Sequence, residues 1–418
     1  MAVTAQDAGR GRTRGRRCTA GAVLAALLLA PACSAPENTA GGITTQEVGA
    51  ALDRRAAALL AHDTEAYLAA LDPRATAFRA AQRTELGNLA DVPLESWAYR
   101  VESVSAEGAD RVTAEVELRY RIEGYDKAPM SSSRTVELVR RGDARGWYIS
   151  ADRAAGDGPG QLWQQGDVEV VRGTHSLVLG VGRPAQELRR IAATADRAVP
   201  AVSGAWPEPW AERVVVLVPE TVDDMAALLG SPVASYRGMA AVTTGKVGGS
   251  GRAPADRVIV NPQAYGTLGD FGQRVVLTHE TTHVATRAHT SAATPVWLSE
   301  GFADRAAYLG ESRTAQELAP ELTEAVRSGD LPADLPTDGD FGFGEDADRL
   351  SRAYESGWLA CELIARDWGE EELIAFYKAV GSRSGRDGAV EHAMQSVLGT
   401  TPQEFTARWR EYLRDRLG

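Results

Sequence analysis

Gln273-Arg274-Val275-Val276-Leu277-Thr278-His279-Glu280-Thr281-Thr282-His283-Val284-Ala285 is the stretch from which the rest of this chain can be read. Val275, Val276, Leu277, Val284 and Ala285 form an apolar stripe, and no Pro or Gly interrupts Gln273 to Ala288, so a helix is predicted there. Residues four apart on a helix share a face, so the imidazoles of His279 and His283 can converge on one ion. Glu280 stands one step round the helix from the first imidazole, within reach of a water held by that ion. The chain has only six histidines, which makes a chance His-Glu-x-x-His rare.

Downstream, a break at Thr290 to Pro295 precedes Trp297-Leu298-Ser299-Glu300-Gly301-Phe302-Ala303-Asp304. Hydrolytic zinc sites use three protein ligands and leave a position open for water. Glu300 is the natural third ligand, arriving on the next helix after a stretch of 16 residues, 284 to 299.

With HETTH and WLSEGFAD together, the chain resembles the gluzincin zinc metallopeptidases, the clan of thermolysin-like and aminopeptidase-N-like enzymes. Within that clan it is most similar to the peptidase-MA-like proteins of bacterial envelopes, over about residues 165 to 418. The resemblance implies that His279, His283 and Glu300 bind Zn2+ and that Glu280 is the general base. Asp304 matches the acid, four residues after the ligand Glu, that holds a zinc-bound imidazole in one tautomer. Tyr354, in Ala353-Tyr354-Glu355-Ser356-Gly357-Trp358, is similar to the tyrosine with which the clan stabilises an oxyanion. Tyr308 is a rival, but eight residues along the ligand helix set it about 12 Å from Glu300. An edge strand holding extended substrate is expected upstream, with Ser235 to Val242 as the candidate. That stretch lacks the Glu with which the aminopeptidase branch grips a free α-amino group. An endopeptidase is therefore expected rather than an aminopeptidase.

The first residues address the chain. Arg10, Arg12, Arg14, Arg16 and Arg17 precede the apolar run Ala20 to Ala30, which is short for a membrane span, so residues 1–32 are predicted to be a signal peptide. Ala30-Pro31-Ala32-Cys33 resembles a lipobox, which would make Cys33 the lipidated first residue of the mature chain; ordinary cleavage of the signal is the alternative. Lipidation would leave Cys361 unpaired and exclude a disulfide. The expected location is the outer face of the cell membrane.

The chain carries −12, and residues 33–418 carry 40 basic and 56 acidic residues, a net −16. Such a charge argues against a nucleic-acid partner or an anionic membrane surface, so membrane contact is expected only through lipid.

At 418 residues the chain is too long for one average domain. Small, polar residues in 33–42 read as a tether. Residues 43–153 hold helices followed by a run of alternating Val112, Ala114, Val116, Leu118, Tyr120 and Ile122. That order resembles an NTF2-like cone, helices packed on a curved antiparallel sheet. Residues 154–166 read as a linker, and 167–418 as the metallopeptidase-like domain, a mixed sheet leading into helices. The fold class expected is α+β. Function is expected to be zinc-dependent hydrolysis of a peptide or protein substrate. The alternative is a surface-anchored binding or assembly lipoprotein whose metallopeptidase-like domain does not cleave. Oligomeric state is left open.

Overall fold

The computed structural model describes residues 39–40, 43–142, 146–156, 158–245, 254–342 and 347–418. The expected signal segment 1–32, Cys33 and most of the tether lie outside the described residues.

A short antiparallel pair, β1 (Thr39–Ala40) and β2 (Ile43–Thr44), leads into helices α1 (Thr45–Leu60), α2 (Thr64–Ala69) and α3 (Thr76–Asn88). Asp63 caps α2, its carboxylate accepting from the Ala66 amide at 2.9 Å. An antiparallel meander follows: β3 (Leu94–Ala106), β4 (Arg111–Ile122), β5 (Met130–Arg140) and β6 (Trp147–Ala154). Alternation sets its faces. Every second residue of β4, from Val112 to Ile122, is buried, and joins Val48, Leu52, Ala56 and Leu59 of α1 in one core. Register shifts at Leu94/Ser96, Val101/Ser103 and Glu137/Leu138 mark irregularities that bend the strands.

The segment 154–166, expected as a linker, carries a one-turn 3-10 helix, Leu162–Gln164, with Leu162 and Trp163 buried. Trp163 lies edge-on to Tyr120, with 5.1 Å between ring centroids.

Next come β7 (Val168–Arg172), β8 (Ser176–Val181), α4 (Ala185–Ala205), β9 (Val214–Val218), α5 (Val222–Leu229), β10 (Ala241–Thr244), β11 (Arg257–Val260), α6 (Pro262–Gly266) and α7 (Asp270–Thr286). The strands form one mixed sheet in the order β10-β11-β9-β8-β7. β8, β9 and β11 run parallel, with antiparallel β7 and β10 at the edges. Past their first residues, Ser176 in β8 and Arg257 in β11, the middle strands carry no polar side chain, because both faces are covered. Val178, Val214, Val216, Val258 and Val260 pack with residues of α4 and α7, among them Leu188, Ile191, Val276 and Leu277. The alternate residues Leu177, Leu179, Val215 and Ile259 belong to the core of the N-terminal helices and meander. A buried ion pair crosses the same boundary. Arg257, which opens β11, donates to both oxygens of Asp126, at 3.0 and 2.8 Å.

The edge strand is not where its sequence suggested. Val233–Ser235 forms a 3-10 turn after Pro232, and β10 begins only at Ala241. Turn bonds from the Ser235 amide to the Pro232 carbonyl and from the Met239 amide to the Tyr236 carbonyl engage the backbone that a strand would need.

The remainder is helical: α8 (Val296–Tyr308), α9 (Ala315–Leu318), α10 (Pro320–Ser328), α11 (Ala347–Asp367), α12 (Glu370–Gly381), α13 (Ala389–Ala393) and α14 (Pro402–Leu417). These helices enclose a core of their own around Phe302, Leu359, Phe376, Tyr377 and Trp409. Cys361 is a free, buried thiol within it. The architecture is mixed α+β. Among the described residues, no helix is long and apolar enough to cross a membrane.

Candidate metal centre

Helix α7 carries an unusual load of polar residues into the core. Thr278, Thr281, Thr282 and Thr286 are all buried. The hydroxyls of Thr282 and Thr286 donate to the carbonyls four residues back, at 2.8 and 2.9 Å, so those two bring no unmet donor inside. His279, Glu280 and His283 share this helix at 2, 0 and 3% exposure, and Glu300 of α8 faces them at 1%.

Ligand atoms of His279, His283 and Glu300 lie within 4.8 Å of one another. His279 Nε2 is 3.0 Å from His283 Nε2 and 3.1 Å from a Glu300 oxygen, which is also 3.5 Å from His283 Nε2. Two ring nitrogens this close oppose lone pair to lone pair unless a proton or a cation lies between them. His279 Nδ1 is 2.7 Å from Asp304. A neutral imidazole donating there keeps Nε2 as an acceptor, the tautomer that a metal ligand needs. Two imidazole nitrogens and one carboxylate oxygen are the donor set of a hydrolytic zinc site, so these residues fit Zn2+.

The electrostatics agree. Burial alone would lower the His279 pKa, yet Asp304 and Glu300 outweigh it and push the ring up to about 10. Burial would raise Glu300, but the two imidazoles hold its carboxyl down at about 2.

Glu280 is not among the converging ligands. Its Oε2 accepts from the Thr243 hydroxyl at 2.5 Å, while Oε1 has no hydrogen-bond partner among the described residues. Burial pushes its carboxyl pKa up.

Tyr354 arrives through an unusually close helix crossing. A Cβ on Gly301 of α8 would collide with the Gly357 carbonyl of α11, and one on Gly357 would stand 2.7 Å from the Trp297 carbonyl. With the backbones in contact, Tyr354 reaches the centre. Its hydroxyl donates to Glu300, and its ring lies 6.4 Å from that of His279. Burial first, then Glu300, raises the phenol pKa well above its usual value and keeps it a donor. Tyr308 packs on Trp358 instead, with 5.0 Å between centroids.

A cavity of about 260 Å³ opens beside the centre, lined in part by His279, Asp304, Tyr308, Glu321, Tyr354 and Glu355. Glu355 accepts from the Leu322 amide at 2.6 Å. Burial and hydrogen bonding to Glu321 push its carboxyl up to about 9.

Thr243 and the Gly301–Gly357 contact were invisible to motif reading. A glycine amid the apolar residues of α11 was the one available signal, since such a glycine usually marks close packing.

No protein-family model matches this chain, and no curated protein matches it either. Solved structures do resemble it. Native yeast LTA4 hydrolase is 14% identical with a TM-score of 0.37, over 67% of this chain and 44% of its own. A mutant two-domain M1 zinc metallopeptidase bound to L-arginine is 16% identical at 0.36, over 67% of this chain and 60% of that one. A mutant M1 zinc metallopeptidase from Deinococcus radiodurans is 16% identical at 0.33, with the same coverage. This chain thus spans less than two thirds of the length of these structural neighbours, two of which are zinc metallopeptidases by name.

Proposed function

We propose that this protein is a zinc-dependent hydrolase of the gluzincin type, a peptidase. The convergence of His279, His283 and Glu300 within 4.8 Å, with Glu280 beside them and one oxygen unpartnered, carries the reading. Bound zinc would supply Lewis acidity, acidifying a water and polarising a carbonyl. The two imidazoles and Glu300 would hold it, and Asp304 keeps His279 in the ligating tautomer. Glu280, through Oε1, takes the proton of the attacking water and delivers it to the leaving amine. The Tyr354 hydroxyl donates to the oxyanion that develops on the carbonyl.

The finer reading follows the peptidase-MA-like resemblance. The segment that ends at Ala240 and the start of β10 at Ala241 offer no amine-gripping Glu, which favours an endopeptidase. The N-terminal unit is read as an NTF2-like module. Cys33 would tether the whole to the outer face of the membrane.

Purified protein screened against a peptide library decides the matter. The wild type should bind one zinc per chain and cleave. Glu280→Gln should keep the zinc and lose roughly 10²-fold or more in rate. Cleavage at the wild-type rate by Glu280→Gln, or protein with no stoichiometric zinc, would overturn the reading.

A further inference from the structure

We propose that Thr243 is a positioning residue for Glu280, and that the N-terminal unit holds Thr243 in place. This rests on the reading of Glu280 as general base. In β10 side chains alternate, so Val242 joins the core shared with the N-terminal unit while Ala241 joins that of α7. Thr243 therefore points at α7, fully buried, with its hydroxyl 2.5 Å from Glu280 Oε2 and 3.1 Å from the Glu280 carbonyl. A carboxylate with both oxygens free can rotate about its terminal torsion, which is broad. Occupying Oε2 leaves Oε1 as the acceptor that faces the reaction. Threonine suits the task because its β-branched side chain is stiff, so the strand's backbone sets the hydroxyl's direction.

The strand must then be held still, and β10 is four residues long, sits at the sheet edge and, among the described residues, pairs only with β11. Its last residue, Thr244, is in register with Arg257, whose amide donates to the Thr244 hydroxyl at 3.3 Å. Arg257 in turn donates both guanidinium arms to Asp126, which also accepts from the amides of Ile122 and Ala255 at 2.8 and 2.9 Å. All of Asp126's side chain is buried, so this is a fixed joint and not a surface pair. A continuous set of contacts thus runs from the N-terminal unit to the proposed base.

Full-length, zinc-loaded Thr243→Val, which keeps shape and loses the hydroxyl, should lower kcat roughly tenfold or more, with KM, zinc content and melting temperature near wild type. Thr243→Ser should recover most of the loss, a rescue that a purely structural role would not produce. If the valine variant does not fold, Thr243→Ala is scored in its place. Affinity for a simple peptide hydroxamate, whose proton the base must accept, should fall in parallel and reads the position of Glu280 without turnover. The joint is tested by Asp126→Asn, which should lower kcat in the same direction and add little on top of Thr243→Val. Wild-type kcat and hydroxamate affinity in Thr243→Val beside an inactive Glu280→Gln would overturn the role of Thr243 alone. Fully additive losses would overturn the link to the N-terminal unit. Wild-type activity in Glu280→Gln would remove the base itself, and this inference with it.

Discussion

The side chains of Arg55, Arg134 and Asp152 in the N-terminal unit are as deeply buried as those of His279 and His283, yet the two clusters are built differently. Asp152 receives Arg55 at 2.6 Å and Arg134 at 2.5 Å, and Arg55 also donates to Tyr67 and Gln82. Burial would raise the Asp152 pKa, but the two guanidiniums bring it below the usual range. Opposite charges there meet one another, and α1 is tied to β5 and β6. At the candidate metal centre two imidazole nitrogens face each other at 3.0 Å, and Glu280 Oε1 has no partner among the described residues. A buried polar group left unsatisfied is costly, so one that persists needs a reason. The first cluster is complete without anything from outside. The second presents a donor set that a cation would complete.

The comparison can be broken from either side. The largest effect is expected at the ligands: His283→Ala should abolish zinc binding and hydrolysis together, as metal analysis and peptide cleavage would show. Retained stoichiometric zinc would mean that the nitrogens converge for another purpose. Asp152→Asn should instead leave zinc binding untouched and cost about 3–5 kcal/mol in urea unfolding, because it strands two buried cations. A change in zinc affinity without loss of stability would erase the distinction between the clusters. Tyr354→Phe should keep the metal and reduce kcat about 10²-fold, the usual cost of one oxyanion donor. A purely structural phenol would show instead as lost stability.

The last test concerns Glu355, which touches neither cluster. Its folded-state pKa is raised to about 9, so the folded protein keeps a proton that the unfolded chain releases near the ordinary glutamate value of about 4.3. Stability from this group is therefore full below about 4.3 and lost as pH rises toward 9. Urea midpoints measured at pH 5 and pH 9 should differ less in Glu355→Gln than in wild type. An unchanged difference would remove Glu355 as the cause.

Much of the fold was legible because its signals are local. The alternation from Val112 to Ile122 marked a strand with one buried face. Ser235 to Val242 was misleading as a strand. Tyr236 and Val242 suit one, but the turn after Pro232 takes up the backbone first, and pairing with β11 begins only at Ala241. Likewise the Gly- and Gln-rich stretch 154–166 looked like a linker, while burial of Leu162 and Trp163 depends on surfaces far away in the chain.

The sequence by itself determined which side chains can bind a metal. A spacing of four on a helix places His279 and His283 together whatever surrounds them, and Glu300 and Asp304 follow the same rule on the next helix. Only the tertiary structure decided how Glu280 is held. Thr243 meets Glu280 across 37 residues, and Asp126 meets Arg257 across 131. Contacts at those separations come from strand pairing at a sheet edge and from the docking of two units. They leave no periodic mark in the chain, because neither partner's neighbours in sequence are its neighbours in space.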